Sequence, residues 1–154
     1  MKRLLLLLFL IIPVTLNAAG NLGYYRFPAI HDDMIVFTAE GDLWVVGTEG
    51  GMARRLTTHH GQETNAGISP DGSLIAFSAQ YEGPTEVYTI PVTGGLPVRR
   101  TFEGGTALVT GWTPDGKIIY STYKYSTLPN MQLAEIDPGS GNIELVPLAQ
   151  ASEG

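Results

Sequence analysis

An all-β fold with almost no helix is predicted by three features of this sequence. The stretch Ser69-Pro70-Asp71-Gly72-Ser73-Leu74-Ile75-Ala76-Phe77-Ser78 recurs 44 residues later as Thr113-Pro114-Asp115-Gly116-Lys117-Ile118-Ile119-Tyr120-Ser121. Paired glycines at 50/51 and 94/95 keep the same offset. The runs around these markers alternate at period two and are rich in β-branched and aromatic residues: Ile35 with Phe37, Leu43 with Val45, and Ile75 with Phe77 each share a face.

The repeated stretch reads as a tight turn feeding a buried strand. Pro70 fixes φ for the second position of a type I turn, Asp71 suits the third and Gly72 the fourth. An upstream copy lacks the turn residues but keeps the strand: His31-Asp32-Asp33 leads into Met34–Ala39, which overlays Leu74–Ala79. Three units of four short strands follow. The first has Ala29–His31, Met34–Ala39, Asp42–Val46, a Glu49-Gly50-Gly51 turn and Met52–Thr57. The second has Ala66–Ser69, Leu74–Ala79, Glu86–Pro91, a Gly94-Gly95 turn and Leu96–Phe102, with an insert, Glu82-Gly83-Pro84-Thr85, between its second and third strands. The third has Leu108–Trp112, Ile118–Thr122, Met131–Ile136, a turn over Pro138–Gly141 and Ile143–Leu148. The glycine pairs supply the positive φ that a two-residue hairpin needs.

A four-stranded unit recurring roughly every 40 to 45 residues is the signature of a β-propeller. Propellers close with about 4 to 8 blades. Blades at residues 26–58, 64–102 and 106–148 therefore predict an incomplete propeller over 20–154, whose end at Gly154 stands where a fourth blade is expected. Either further blades lie outside the sequence or the chain forms a homo-oligomer, since uncovered apolar faces of terminal blades invite association.

Residues 1–19 read as a secretory signal peptide: Lys2 and Arg3, nine apolar residues from Leu4 to Ile12, a break at Pro13, and small residues at Ala18 and Ala19. Spanning a bilayer takes about 20 apolar residues, so no stable membrane insertion is expected after cleavage. The expected location is periplasmic or secreted. There is no cysteine, hence no disulfide framework and no lipidation site. Removal of the leader leaves seven basic against fifteen acidic residues, a net charge of −8, which argues against a nucleic-acid partner.

No catalytic, cofactor-binding or metal-binding residue is expected. A serine nucleophile needs a base within reach and a third group orienting that base. His31 sits at a strand end, His59-His60 in an interblade loop, Ser69 in a turn, and no Gly-x-Ser-x-Gly elbow is present. Adjacent histidines lack ligand spacing. Asp71 and Asp115 could hold a cation at the rim, but a calcium loop needs several oxygens closely spaced, and turn geometry already explains each. Arg54-Arg55 and Arg99-Arg100 close corresponding fourth strands at an offset of 45. One of each pair is expected to fasten blade to blade and the other to meet solvent; a ring of arginines gripping peptide carboxylates is the alternative. Trp44 and Trp112 are expected in the interblade core.

The runs YYRFPAIHDDMIVFTAEGDLWVV, GGMARRLT, ISPDGSLIAFSAQYEGPTEVYTIPVTGG and WTPDGKIIYST together resemble the N-terminal six-bladed propeller of tricorn proteases. The resemblance covers about Gly23 to Leu148 and includes non-repeat detail such as Glu82–Tyr88. It implies a longer chain with a second propeller, a PDZ domain and a serine peptidase domain, in which the propellers guide or gate peptides or unfolded polypeptide. None of the catalytic segments has a counterpart here. The SPDG repeat is shared with TolB-like periplasmic propellers, so an envelope interaction scaffold without peptidase activity is the alternative.

Overall fold

The structure, a computed structural model, describes residues 23–147, so the expected signal peptide lies outside the described residues. Twelve strands run in chain order: β1 Arg26–His31, β2 Met34–Ala39, β3 Asp42–Gly47, β4 Arg54–Arg55, β5 Glu63–Ile68, β6 Leu74–Ala79, β7 Glu86–Pro91, β8 Val98–Arg99, β9 Ala107–Trp112, β10 Ile118–Thr122, β11 Gln132–Ile136 and β12 Ile143–Leu145. They form three antiparallel four-stranded meanders, β1 to β4, β5 to β8 and β9 to β12. These are blades 1, 2 and 3. Strand β1 lies against β5, and β5 against β9, which makes the first strand of each blade the inner one.

The repeated turn forms as its residues dictate. Gly72 N–H donates to Ser69 O at 2.9 Å and Gly116 N–H to Thr113 O at 3.0 Å, and both glycines have positive φ. The two copies then diverge by one residue. Ser69 N–H reaches Leu74 O, whereas Thr113 N–H reaches Lys117 O. An offset of 44 in the turn thus becomes 43 in the strand. Ile75 and Phe77 correspond to Ile118 and Tyr120, since one residue of slip exchanges the two faces of a strand.

Outer strands are shorter than the sequence predicts, two or three residues rather than six or seven. The ladder continues one bond further, Leu56 N–H to Leu43 O and Arg100 N–H to Val87 O. At the next position a threonine hydroxyl replaces the main chain: Thr57 Oγ1 accepts from Leu43 N–H at 2.9 Å and Thr101 Oγ1 from Val87 N–H at 2.8 Å. The backbone is thereby released to cross to the next blade. The glycine pairs do take positive φ, but each sits in a six-residue connection, 48–53 or 92–97, rather than in a two-residue hairpin.

Every inner strand carries one extra residue. Between Arg26 and Ala29, Thr64 and Gly67, and Val109 and Gly111, the partner strand advances one residue fewer. Phe27 (φ 50°) and Asn65 (φ 53°) turn through the left-handed region at two of these bulges.

Two apolar cores lie in the two joints. Val36 and Leu43 of blade 1 meet Ile75, Phe77, Tyr88 and Ile90 of blade 2. Ala76 and Val87 of blade 2 meet Val109, Ile118, Tyr120 and Ile136 of blade 3. Blade 2 is thus covered on both faces, and its strands read as nearly continuous buried runs. Trp112 bridges the second joint as expected, its Nε1–H donating to Gly67 O at 3.0 Å. Trp44 does not. It stands on the uncovered face of blade 1, donating to Ala39 O within its own blade, because β3 alternates and Leu43 and Val45 take the buried side.

Candidate functional site

Three buried carboxylates organise the ground beneath any site. In blade 1, Asp42 accepts from Arg55 and, at 3.2 Å, from His59 N–H. In blade 2, Glu86 occupies the same place 44 residues later. It accepts from Arg99 Nη2 (2.9 Å), Thr101 Oγ1 (2.5 Å), Glu103 N–H (3.1 Å) and Gly104 N–H (3.0 Å). Burial opposes ionisation of Glu86, but these donors together outweigh it and hold its carboxyl below the usual range. Blade 3 has Gln132 and Leu145 at the corresponding positions, so the clip stops there.

The third carboxylate, Glu63, begins β5 and reaches back across the first joint, accepting from Leu43 N–H at 2.9 Å and from the hydroxyls of Thr57 and Tyr81. Burial pushes its carboxyl up against the pull of those three bonds. Burial and the bond to Glu63 push the Tyr81 phenol far up as well.

One arginine of each pair fastens blade to blade, as the sequence predicts. Arg54 donates to Val92 O (2.9 Å) and Thr93 O (3.4 Å), fastening blade 1 to blade 2. Arg100 donates to Pro138 O at 2.7 Å, fastening blade 2 to blade 3. Their neighbours hold the in-blade carboxylates, Arg55 while still exposed to solvent and Arg99 largely covered. With those donors committed on the outer strands, no ring of arginines faces the inner wall among the described residues.

Most of the candidate polar residues have a local partner. Ser69 Oγ donates to Asp71 (2.5 Å) and accepts from Leu74 N–H (2.9 Å). Bonds from Ser69 and Ser73 hold the exposed Asp71 carboxyl down at about 2. A bond from Thr113 does the same, less strongly, for Asp115. His31 Nε2 lies 3.5 Å from Asp32. His59 Nδ1 accepts from Gly61 N–H, and its ring lies on Tyr81 with centroids 3.9 Å apart. That stacking gives a residue expected to be merely solvated a packing role. Among the described residues no three metal-ligating side chains converge.

What remains open is the inner wall. Where the bulges of the three inner strands come together, a cavity of about 370 Å³ is lined by Phe27, Pro28, Asn65, Ala66, Thr110 and Ser121, among others. No lining side chain is charged. A bulged residue leaves main-chain polar groups outside the ladder, so the wall offers amide-type donors and acceptors beside small apolar surfaces. Sequence reasoning missed this site because a bulge shows only when two strands are paired residue by residue. The sole local hint was Asn65, a residue type tolerant of positive φ.

The family described as the tricorn protease N-terminal beta propeller domain matches residues 22–154. "Tricorn protease homolog 1" of Streptomyces coelicolor is 38% identical over 70 residues, covering 46% of this chain and 7% of that protein. The crystal structure of the tricorn protease superposes with a TM-score of 0.75 at 26% identity, covering 85% of this chain and 14% of that one. TolB from Acinetobacter baumannii superposes with a TM-score of 0.66 at 22% identity, covering 77% and 31%, a likeness of fold alone. This chain therefore spans a small part of the length of these relatives.

Proposed function

From a chain that belongs to the tricorn protease N-terminal β-propeller family, we propose that these residues are the N-terminal propeller portion of an exported tricorn-like serine peptidase. The inner wall guides or gates peptides toward a catalytic domain carried outside the 154 residues. One observation carries the reading: the three inner strands converge on an uncharged cavity at their bulges. Main-chain groups outside the ladder suit a peptide backbone, which every substrate shares, so sequence-tolerant passage follows from chemistry common to all peptides. The family places such a propeller ahead of a peptidase, and the leader sequence supports export to the periplasm or beyond.

The test is binding without turnover. A fluorescent, unblocked oligopeptide of alanine and serine should bind weakly and saturably to the purified protein, and remain intact. Asn65→Tyr, which places a ring across the cavity, should abolish the anisotropy change. Equal binding by wild type and this variant removes the inner wall from the account. Turnover that survives purification and disappears on substituting Ser69 places chemistry in this chain after all. The second reading, a TolB-like interaction scaffold, draws on the fold likeness to TolB. Coding sequence running on into a peptidase domain excludes it.

A further inference from the structure

Beside the inner-wall cavity lies a second, smaller one. It measures about 190 Å³ and is lined by Gln62, Thr64, Gln80, Thr85 and Leu108. Leu108 lines both cavities, so the two adjoin. The smaller cavity sits at the end of blade 2 where its strand ends lie side by side: Gln62 immediately precedes β5, Gln80 follows β6 and Thr85 precedes β7. Gln80 N–H donates to Gln62 O at 3.4 Å, which keeps the first two ends together. Leu108, on β9, comes from blade 3.

Alternation along β5 decides what the cavity receives. Glu63 turns back into the first joint, where Leu43 N–H, Thr57 and Tyr81 hold it, so its neighbours Gln62 and Thr64 turn to the opposite side. Glu86, next to Thr85, is taken up by Arg99 and Thr101. No charged side chain lines the cavity. One side-chain bond is made within it, from Gln80 Nε2–H to Thr85 Oγ1 at 3.1 Å. The Gln62 carboxamide, the Thr64 hydroxyl and the Gln80 amide oxygen have no partner among the described residues.

Neutral donors and acceptors therefore stand open above a leucine. A carboxamide uses both kinds at once: it can donate to the Gln80 oxygen and accept from Gln62 or Thr64 while its methylenes lie on Leu108. A carboxylate brings acceptors alone and meets no cation there. A thioether leaves the lining groups unpaired once their water is displaced.

We propose that this cavity is a side-chain subsite for peptides lying on the inner wall, and that it prefers glutamine and asparagine. It rests on the reading of the inner wall as a peptide path, and it adds a preference to passage otherwise tolerant of sequence.

Competition tests it. Three oligopeptides of alanine and serine, each with one central glutamine, glutamate or methionine, are titrated against the fluorescent alanine–serine peptide bound to the purified protein. The glutamine peptide should displace it at a concentration about 3- to 10-fold lower than either of the others, the range that one net hydrogen bond gives. Joint substitution Gln62→Ala and Gln80→Ala, both at exposed positions, should abolish that margin with unchanged far-ultraviolet circular dichroism, while the alanine–serine peptide binds as before. Gln62→Lys should hand the advantage to the glutamate peptide, which a merely structural loss would not do. Equal potency of the three peptides against wild type would overturn the subsite and leave the inner wall standing, and so would a preference retained in the double variant. If no peptide binds, the fluorescent one included, the inner-wall reading falls and the subsite falls with it.

Discussion

Replacing Glu86 by glutamine should remove a large part of the stability of this fold. The Glu86 side chain is 1% exposed and receives four donors, two on each oxygen: Arg99 and Gly104 N–H on Oε1, Thr101 and Glu103 N–H on Oε2. A glutamine of the same shape turns one acceptor into an NH2 group. Whichever way the amide faces, two donors confront a donor, and Arg99 keeps only the exposed Glu82 as a charged partner. Breaking a buried, hydrogen-bonded ion pair from one side costs about 3–5 kcal/mol. Native domains hold only about 5–15 kcal/mol in total. With a urea dependence of about 2 kcal/mol per molar, the unfolding midpoint should fall by about 1.5 to 2.5 M at fixed protein concentration. The same substitution at the homologous clip, Asp42→Asn, should act in the same direction. A midpoint within about 0.3 M of wild type for Glu86→Gln would refute the claim that the repeated carboxylate holds the outer strand.

The two glutamates titrate with opposite sign. The Glu86 carboxyl is held below its ordinary value of 4.5, so its contribution is present above pH 4.5 and lost as pH falls through the folded value. The Glu63 carboxyl is pushed above 4.5, so stability is full below pH 4.5 and declines as pH rises through the folded value; chemical denaturation across pH 4 to 8 should show that decline in wild type and its loss in Glu63→Gln. Asp71, held at about 2 against an ordinary 3.8, should lose its contribution as pH falls from 3.8 through about 2, below which wild type and Asp71→Ala converge in thermal scans. At Gly72, φ is +69° and a Cβ would come within 3.2 Å of the His31 ring. Gly72→Ala should therefore cost about 1–2 kcal/mol, visible as a lowered melting temperature, whereas the same change at Gly105, with open space and no positive φ, should not destabilise.

Turn chemistry carried most of the fold into view. Pro70, Asp71 and Gly72, with their echo at 114 to 116, marked the blade period because such a turn leaves few residue choices. Face assignment in blade 3 was hidden, because the turn there closes one residue earlier and shifts the period from 44 to 43. The carboxylate clips were legible and missed. Asp42 and Glu86, Arg55 and Arg99, and Thr57 and Thr101 are all 44 residues apart, but matching the arginines as pairs gave an offset of 45 and obscured which arginine faces inward. Trp44 went astray because its burial depends on a neighbour on the uncovered side, which period and propensity do not specify. The inner-strand bulges leave no residue pattern at all: Phe27, Asn65 and Thr110 share nothing but their place in a register.

The central claim, that peptides pass along the inner wall at those bulges, is tested most directly by photo-cross-linking. An oligopeptide of alanine and serine carrying a benzophenone is irradiated with the protein, and the labelled residues are read by mass spectrometry. Labels on Phe27, Asn65 and Thr110, suppressed by excess unlabelled peptide, are the predicted result. Labels confined to the turns at Asp71 and Asp115 or to the outer strands would contradict it.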